Sequence, residues 1–583
     1  MAKDDWIRIK ADDIYKGIGD NSFGMGEIRN MNLSEEPGIA MVNKSLLILS
    51  PTALDDRTFT ANAGTDIITT SDNFNYSSST NGYTGSARCV QVSSTGTLPA
   101  GLSSTAYYFI KIIDNNAKQY KLCTDYNLDN IVNITDAGTG THTITTIDPE
   151  GISDDYSYFT DDIGNNFYFV DDNSRLWRLS VGDRVPELLQ GHTAQTCRGL
   201  AVWKGYLFYL RATSIDVCNL TNLGNIQSAD WTNSWKSITS ADHQAIIGQD
   251  DVLYFCNKSS IGSILENSGY TFDPATSGTY TFNASALDLP SNFTTAFITE
   301  LGSNLKIATN DGRLYSWDRI SDSFDFPLIY SSNIVQMITV NGLVYSFHES
   351  ENAIYATDGT FIKKIKQIPE FLSNSFTSSN TTTSFSNPVK VKNKIVFGVG
   401  NRVGISGVYS LNLDNNALIF ENTVSTHNTG DVAEPLIINY IGSLSASTNF
   451  IVYYSDYASD PSDRIDALTT SWYGSFRSFL TTPLIRLGTA NDLVTLQKLE
   501  IETDSILNND SSVEGFKLAY RNELTADFTD IATEYGDGTF KDRTIYNFKL
   551  GGLSLNQIQF RVYAQSASTS GATRCRIREL RFR

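Results

Sequence analysis

Apolar residues along the middle of the chain recur as short runs, and each run directly follows a two-residue turn signal. Seven such copies lie within residues 152–470, and the first apolar residues of consecutive copies are 38 to 55 positions apart. These first residues are Phe167, Leu207, Leu253, Leu305, Leu343, Ile395 and Phe450. Turn residues before β-branched and aromatic runs are typical of β-hairpins. A strand-only repeat of this length predicts a β-propeller of about seven blades, with six or eight as alternatives.

A second short apolar run follows each of the first runs after another turn. The clearest case joins residues 304–308 to residues 314–317 through Asn310, Asp311 and Gly312. These three residue types tolerate the positive φ that a tight hairpin requires. Helical periodicity is hard to find anywhere in the chain, so we predict an all-β protein.

The segments outside the repeat predict three further units. Residues 1–51 contain alternating strands, which either complete the last propeller blade or form an arm that reaches a neighbouring subunit. Residues 52–148 break the repeat and predict an inserted β-module, and the propeller itself is placed at residues 149–470. Residues 471–583 alternate apolar and polar positions, which is typical of a β-sandwich with one solvated face. Such a sandwich joins subunits or binds sugars, and we favour the structural role.

Composition and charge narrow the possible functions. The 583 residues are 40% hydrophobic and 11% aromatic, which is too apolar for a disordered chain. The formal net charge is −20 and the pI is about 4.7, whereas nucleic-acid binders usually carry the opposite sign. The acidity either provides solubility or lines a passage through which DNA slides without sticking, and charge alone favours solubility.

Localisation signals and disulfide patterns are not apparent. No apolar run is long enough to span a bilayer, and the first residues lack the hydrophobic segment of a secretory signal. Six cysteines are scattered along the chain without a Cys-x-x-Cys pair: Cys89, Cys123, Cys197, Cys218, Cys256 and Cys575. We expect buried free thiols in a protein that folds in a reducing cytoplasm.

The search for catalytic and metal-binding motifs returns little, so we predict no catalytic residues, no cofactor and no metal site. The five histidines are far apart in sequence, which argues against zinc. The numerous aspartates sit mainly in turn signals, where Asp serves the backbone: Asp161, Asp162, Asp171, Asp172, Asp250, Asp251 and Asp311. Asp311 and Trp317 are weakly similar to a sialidase Asp-box, but the preceding Ser is missing. The acidic turn at residues 171–173 offers carboxylates that could hold Ca²⁺, but it lacks the spacing of a known calcium loop.

The last ten residues contain five arginines: Arg574, Arg576, Arg578, Arg581 and Arg583. One interpretation is an edge strand that its charges protect from unwanted pairing. The other is a basic strip that docks on an acidic neighbour, which includes another copy of this chain. The residues alone do not separate the two.

Part of the inserted module resembles a small β-module that recurs in structural proteins of tailed bacteriophages. The resemblance covers about residues 55–147 and rests on residues 59–66, 97–102, 107–108 and 137–144, with residues 136–144 the most specific part. It departs from the usual pattern at residues 73–82, a Ser/Asn-rich segment. The propeller and the C-terminal region also look like phage tail proteins of the nozzle or tail-tubular class.

This resemblance implies a non-enzymatic virion protein located in the tail and assembled in the host cytoplasm. The expected partners are further copies of the chain in a homo-oligomeric ring, and other tail proteins such as an adaptor or fibres. DNA would pass through the ring transiently without specific binding, and no membrane span is expected. The alternative is a receptor-binding tail protein that binds glycan on the host surface. Fold-level similarity alone does not decide between them.

Overall fold

The computed structural model describes most of the chain, with gaps between the strands. The described residues are 7–10, 27–29, 31–32, 39–41, 45–48, 56–74, 88–147, 159–161, 166–171, 174–180, 186–192, 196–240, 245–248, 250–367, 383–385, 388–391, 393–401, 407–423, 433–439, 448–456, 464–469, 478–487, 493–503, 515–523, 527–535, 545–565 and 576–583. Nearly all regular structure in these residues is β-strand, as the sequence predicts. The exceptions are two short 3₁₀ helices, Leu220–Asn222 and Ser228–Asp230.

The N-terminal segment contributes five strands. They are β1 (Ile7–Lys10), β2 (Glu27–Arg29), β3 (Met31–Asn32), β4 (Ile39–Met41) and β5 (Ser45–Ile48). Strand β3 pairs with β4, and the other four pair with strands far along the chain. The first module after them is a closed six-stranded barrel, in the order β10-β7-β6-β11-β8-β9. Its strands are β6 (Asp56–Asn62), β7 (Ile67–Thr70), β8 (Cys89–Ser94), β9 (Tyr107–Asp114), β10 (Gln119–Cys123) and β11 (His142–Thr146). Closure removes every free sheet edge from this small module.

Five four-stranded antiparallel sheets follow the barrel, and each takes four consecutive strands in chain order. Sheet 1 contains β12 (Phe159–Asp161), β13 (Asn166–Val170), β14 (Leu176–Ser180) and β15 (Glu187–Leu188). Sheet 2 contains β16 (Gly199–Trp203), β17 (Tyr206–Leu210), β18 (Ser214–Asn219) and β19 (Trp231–Ser237). Sheet 3 contains β20 (Ala245–Ile247), β21 (Leu253–Asn257), β22 (Ser260–Glu266) and β23 (Tyr280–Asp288). Sheet 4 contains β24 (Thr295–Leu301), β25 (Asn304–Thr309), β26 (Arg313–Trp317) and β27 (Leu328–Ile329). Sheet 5 contains β28 (Gln336–Val340), β29 (Leu343–His348), β30 (Ala353–Thr357) and β31 (Ile362–Gln367).

Alternation along the second strand of each sheet explains why the sheets stack face to face. In β17, Leu207 and Tyr209 pack against sheet 1, whereas Phe208 and Leu210 pack against sheet 3. Successive strand residues point to opposite faces, so a strand that is apolar at every position needs a neighbour on both sides. The first strands of consecutive sheets lie beside one another from β12 to β28. This radial stacking is the β-propeller that the sequence predicts.

The rest of the propeller region is tied to both ends of the chain. Its strands are β32 (Thr383–Phe385), β33 (Val389–Val391), β34 (Lys394–Asn401), β35 (Gly407–Asn412), β36 (Leu418–Thr423), β37 (Ala433–Asn439), β38 (Thr448–Asp456) and β39 (Arg464–Thr469). Strands β37 to β39 form a further four-stranded sheet whose fourth strand is β5 from the N-terminal segment. In that pairing Leu46 lies opposite Leu468. The number of blades stays a prediction.

The C-terminal region is a β-sandwich, in agreement with the sequence. Its strands are β40 (Ser478–Thr481), β41 (Ile485–Arg486), β42 (Val494–Thr503), β43 (Gly515–Arg521), β44 (Thr529–Tyr535), β45 (Ile545–Leu555), β46 (Gln557–Gln565) and β47 (Arg576–Phe582). One sheet holds β1, β3, β4, β47, β42 and β45. The other holds β40, β41, β46, β43 and β44, and β2 joins it to β36 of the propeller. Rings from the two sheets meet, as in the 5.2 Å contact of Phe560 with Phe582.

The barrel docks on sheets 1 and 2 through its loop at residues 124–128. Asn127 N donates to Gly224 O at 3.1 Å, and the amides of Gln190 and Gln227 both donate to Thr124 O. A side chain at position 224 would collide with Asn127, because a Cβ there would lie 2.1 Å from Oδ1. Glycine at position 224 therefore lets the barrel loop approach sheet 2 closely. In the part of the chain that the structure describes, no helix has the length and apolar character needed to cross a membrane.

Candidate assembly surface

The connections between strands divide into two faces of the propeller. In each four-stranded sheet, the connections from first to second strand and from third to fourth strand lie at the same end. Side-chain contacts show that these connections lie at the same end of consecutive sheets. We call this end of the propeller the loop face. Lys204 of sheet 2 pairs with Asp251 of sheet 3, and Asp250 lies 3.4 Å from Arg319 of sheet 4. All four residues belong to such connections.

The loop face exposes large apolar side chains on three consecutive sheets. Tyr270, Ile320 and Phe361 are 60%, 91% and 64% exposed, and each lies in the connection from third to fourth strand. Phe326 in the same connection as Ile320 is fully exposed, and Ile329 follows on the outermost strand of sheet 4. We call these five residues the assembly surface. Large apolar groups concentrated on one face mark an interaction site more often than scattered ones do.

The connection at residues 318–327, which carries Ile320 and Phe326, is firmly anchored. The Asp318 carboxylate accepts hydrogen bonds from the backbone N–H groups of Ile320 at 2.9 Å and Ser321 at 2.8 Å. The indole N–H of Trp317 donates to Ser321 O at 2.7 Å, and the ring of Phe324 meets that of Tyr315 edge-on. An ordered loop loses less conformational entropy when it binds a partner. Ile320 and Phe326 are therefore held in place at the surface before a partner binds.

Charges on this rim have both signs. Backbone N–H donors of Ser321 and Ile320 lower the pKa of Asp318, and the hydroxyl and N–H of Thr360 lower the pKa of Asp358. Both carboxylates are therefore ionised at neutral pH. Lys363, an exposed residue of β31, follows closely after Phe361. A rim with apolar groups between opposite charges is suited to a partner that presents a similar rim.

The opposite face of the propeller is occupied by buried polar contacts. The second strand of each of the first five sheets ends in, or directly before, a buried polar residue: Asp171, Arg211, Asn257, Thr309 and His348. Two of these side chains, Asn257 and His348, bond the incoming connection from the preceding sheet, and the other three bond residues of their own sheet. Asn257 Oδ1, for example, accepts from Thr239 N at 2.8 Å and Ser240 N at 3.1 Å. These residues act in packing, and no sequence signal had singled them out as a set.

The aspartates in turn signals do more than serve the backbone. Asp171 is 1% exposed, and besides the N–H of Arg175 it accepts from the Trp177 indole at 2.8 Å and the Arg175 guanidinium at 2.7 Å. Asp251 accepts from the Trp203 indole at 3.0 Å. Each of these carboxylates accepts from a buried indole N–H that would otherwise lack an acceptor. Asp171 thereby bonds the next strand of its own sheet, and Asp251 bonds sheet 3 to sheet 2. Asp161 lies in β12, and Asp162 and Asp172 fall outside the described residues.

The part of the chain that the structure describes contains buried thiols and buried ion pairs. No group of three or more His, Cys, Asp or Glu there could hold a metal ion. Cys89, Cys123, Cys197, Cys218 and Cys256 are buried free thiols, as expected, and Cys575 lies outside the described residues. Burial raises the pKa of the Cys123 thiol to about 11. Such a thiol is a poor nucleophile.

The interpretation of the C-terminal arginines as an edge strand is wrong. Strand β47 pairs with β42 on one side and with β1 and β4 on the other, so it lies inside the sheet. Arg581 donates to Glu500 at 2.6 Å and lies 3.3 Å from Glu502, which means that its acidic partners belong to its own sheet. The sequence alone could not foresee this, because all three partner strands of β47 are distant along the chain. Arg574 lies outside the described residues.

Comparison with known proteins yields structural neighbours only. No family model and no curated protein sequence matches the chain. Solved structures that align with it include the β-propeller domain of Cps50 (Swd1) from Myceliophteria thermophila, at 10% identity and TM-score 0.38, covering 55% of this chain and 98% of that one. The WD40 propeller domain of Doa1 aligns at 11% identity and TM-score 0.36, covering 55% and 93%. BamB from Moraxella catarrhalis aligns at 11% identity and TM-score 0.31, covering 65% and 97%. At these values no function follows from the neighbours.

Proposed function

We propose that this chain is a non-enzymatic structural component of a bacteriophage virion tail. Its copies form a homo-oligomeric nozzle or hub ring around the DNA passage, and they contact other tail proteins such as an adaptor or fibres. The proposal starts from the resemblance of residues 55–147 to a module of phage structural proteins. It assigns no catalytic residue, no cofactor and no metal.

The observation that carries the proposal is the strand pairing of the N-terminal segment, which connects the sandwich to the propeller. Strands β1, β3 and β4 enter one sheet of the sandwich, β2 joins its other sheet to β36, and β5 completes the sheet of β37 to β39. The sandwich and the propeller therefore cannot separate without breaking β-ladders. A protein that bears load in a particle benefits from such rigidity, whereas hinged domains are common in enzymes that close around a substrate.

The assembly surface gives the proposed ring a subunit contact. Burying a large apolar side chain contributes about 1.5–3 kcal/mol, and five such groups lie on one face of sheets 3 to 5. The charge of −20 agrees with a passage that repels DNA phosphates.

The composition of purified virions tests the proposal. The chain is expected in gradient-purified particles at a fixed stoichiometry, and antibodies against it should label the tail tip in electron micrographs. Absence from the particles, or labelling of the head surface only, contradicts the nozzle placement.

A further inference from the structure

A groove of about 590 Å³ opens on the wall of the barrel. One side is the β6–β7 hairpin, and the other is the segment at residues 137–141 that leads into β11. Five threonines whose side chains reach solvent lie along it: Thr58, Thr60, Thr69, Thr139 and Thr141. The groove belongs to the barrel alone and is separate from the assembly surface.

The hydroxyl groups of the groove come from a regular strand pattern. Thr58 and Thr60 lie two positions apart on β6 and so project from the same face of the strand. Thr69 lies directly opposite Thr60 in the ladder between β6 and β7. The intervening Phe59 points into the barrel core. Each threonine offers a hydroxyl that both donates and accepts, beside a methyl group that can pack against C–H groups.

The facing segment is held in a fixed shape. Asp136 Oδ1 accepts from Ala100 N at 3.0 Å and from Gly138 N at 2.8 Å. His142 is within 2.9 Å of Ala137 O through Nε2 and of Ser94 Oγ through Nδ1, so both of its ring nitrogens are engaged.

Glycine is required at two positions of this segment. Gly138 and Gly140 have φ of 66° and 85°. A Cβ at these positions would lie 2.4 Å from Thr97 O and 2.6 Å from Gly96 N, respectively. The segment therefore adopts a conformation that other residues would strain, and it brings its backbone close to the neighbouring loop. The groove is formed before any ligand arrives.

We propose that this groove binds a neutral saccharide. None of the side chains that line it is an Asp, Glu, Lys or Arg, so a charged ligand would lose hydration without gaining a counter-charge. A purely apolar ligand would leave the hydroxyls of the strand threonines Thr58, Thr60 and Thr69 without ligand partners. A polyhydroxylated, uncharged ligand satisfies donors and acceptors and rests its C–H faces on the threonine methyl groups. The inference stands whether or not the chain forms a tail ring.

Saturation-transfer NMR on the full chain tests the inference, because it reads the ligand signals and suits a large protein. The probes are maltotriose and lactose, with sialyllactose as a charged comparison. Thr60→Val and Thr69→Val keep the side-chain shape and remove the hydroxyls. The matched control is Thr135→Val, because Thr135 is exposed on the same barrel and does not line the groove. Unchanged melting temperatures verify that the variants are folded.

The wild type and Thr135→Val should bind at least one neutral probe with equal affinity. The double variant Thr60→Val/Thr69→Val should bind it about threefold to tenfold more weakly, as expected when net hydrogen bonds are lost. No saturation transfer to either neutral probe at about 10 mM, where even weak millimolar binding is visible, would overturn the inference. Equal affinity of the double variant, or binding of sialyllactose alone, would overturn it as well.

Discussion

Nε2 of His192 lies 2.9 Å from Oδ2 of Asp216, across the connection between sheets 1 and 2. Asp216 is fully buried, and it also accepts from Ser234 N at 2.6 Å and pairs with the guanidinium of Arg211. One carboxylate therefore binds an imidazole, a guanidinium and a backbone amide. The His192 ring packs between Tyr209 and Trp231, at centroid distances of 4.3 Å and 4.4 Å.

Removing this carboxylate should be far more costly than an average substitution. Asp216→Ala leaves the buried guanidinium of Arg211 without a counter-charge, so we expect a loss of about 3–5 kcal/mol in the free energy of unfolding. His192→Ala removes one hydrogen bond and ring packing, with an expected loss of about 1–3 kcal/mol. Denaturant unfolding of both variants and of the double variant measures the coupling. Simple additivity of the two losses would contradict a shared network.

Acid should destabilise the protein through His348. Burial lowers the pKa of this imidazole to about 4, from an ordinary value of 6.5. The unfolded chain therefore binds more protons between pH 6.5 and pH 4, and the stability that neutral His348 contributes is present above pH 6.5 and falls away as the pH drops towards 4. At pH 5 the expected loss relative to pH 7 is about 2 kcal/mol.

The matched variant for this prediction is His348→Gln, which can still reach Ser332 and Ser346, the hydrogen-bond partners of the imidazole. Calorimetry at pH 7 and pH 5 should give a smaller drop in melting temperature for the variant than for the wild type. The neighbouring Glu351 does not confound the test: hydroxyl donors of Ser331 and Tyr355 lower its pKa to about 2 against the opposing effect of burial. The stability that ionised Glu351 contributes is lost only below about pH 4.5. An equal pH dependence in wild type and variant would show that His348 does not titrate in this range.

Strand β5 should stabilise the sheet of β37 to β39 against local unfolding. The double substitution Leu46→Pro/Leu47→Pro covers two successive positions opposite Leu468 and Ala467 of β39, and because hydrogen-bonded pairs alternate in an antiparallel ladder it removes one N–H that donates to β39. Limited proteolysis should then cleave within residues 433–469 at least about tenfold faster, since the sheet loses its fourth strand. Leu46→Ala/Leu47→Ala is the control, because it keeps both N–H groups. Equal cleavage rates in the proline variant and the wild type would argue against closure by β5.

The assembly surface should drive self-association. Ile320→Ser/Phe326→Ser removes the two most exposed large side chains of that surface and should weaken association at least about tenfold, as expected from lost apolar burial. Leu493→Ser is the control, since Leu493 is 69% exposed on the sandwich. Light scattering over a concentration series reports the mass of each variant. A weakening as large in the control, or an unchanged mass in the double variant, would place the contact elsewhere.

The strands that carry turn signals were predictable from the sequence. Asn341 and Gly342 have φ of 52° and 77°, and Lys204 and Gly205 have 51° and 79°, as tight hairpins require. All seven landmark residues lie in strands, from Phe167 in β13 to Phe450 in β38. Local chemistry decides these elements, so a single sequence is enough to find them.

The remaining features depend on partners that are distant in sequence. Strands β15 and β27 have two residues each, too few for a periodicity. The pairing of β5 with β39 joins the N-terminal segment to the last strand of the propeller region, and no local pattern encodes it. Phe324 packs against Tyr315 whereas Phe326, two positions later, is fully exposed. Hydrogen bonds of Asp318 and Trp317 fix the loop conformation that turns the Phe324 ring inward and the Phe326 ring outward. The assembly surface is therefore evident only in the folded chain.

Cryo-electron microscopy of the purified particle tests the central claim most directly, because the propeller of this chain is recognisable in a density map. We predict a closed ring of copies around the tail axis, with acidic side chains facing the lumen and Ile320 and Phe326 buried between neighbouring subunits. Copies that project outward from the tail, without a ring around the DNA passage, would contradict the account and favour receptor binding.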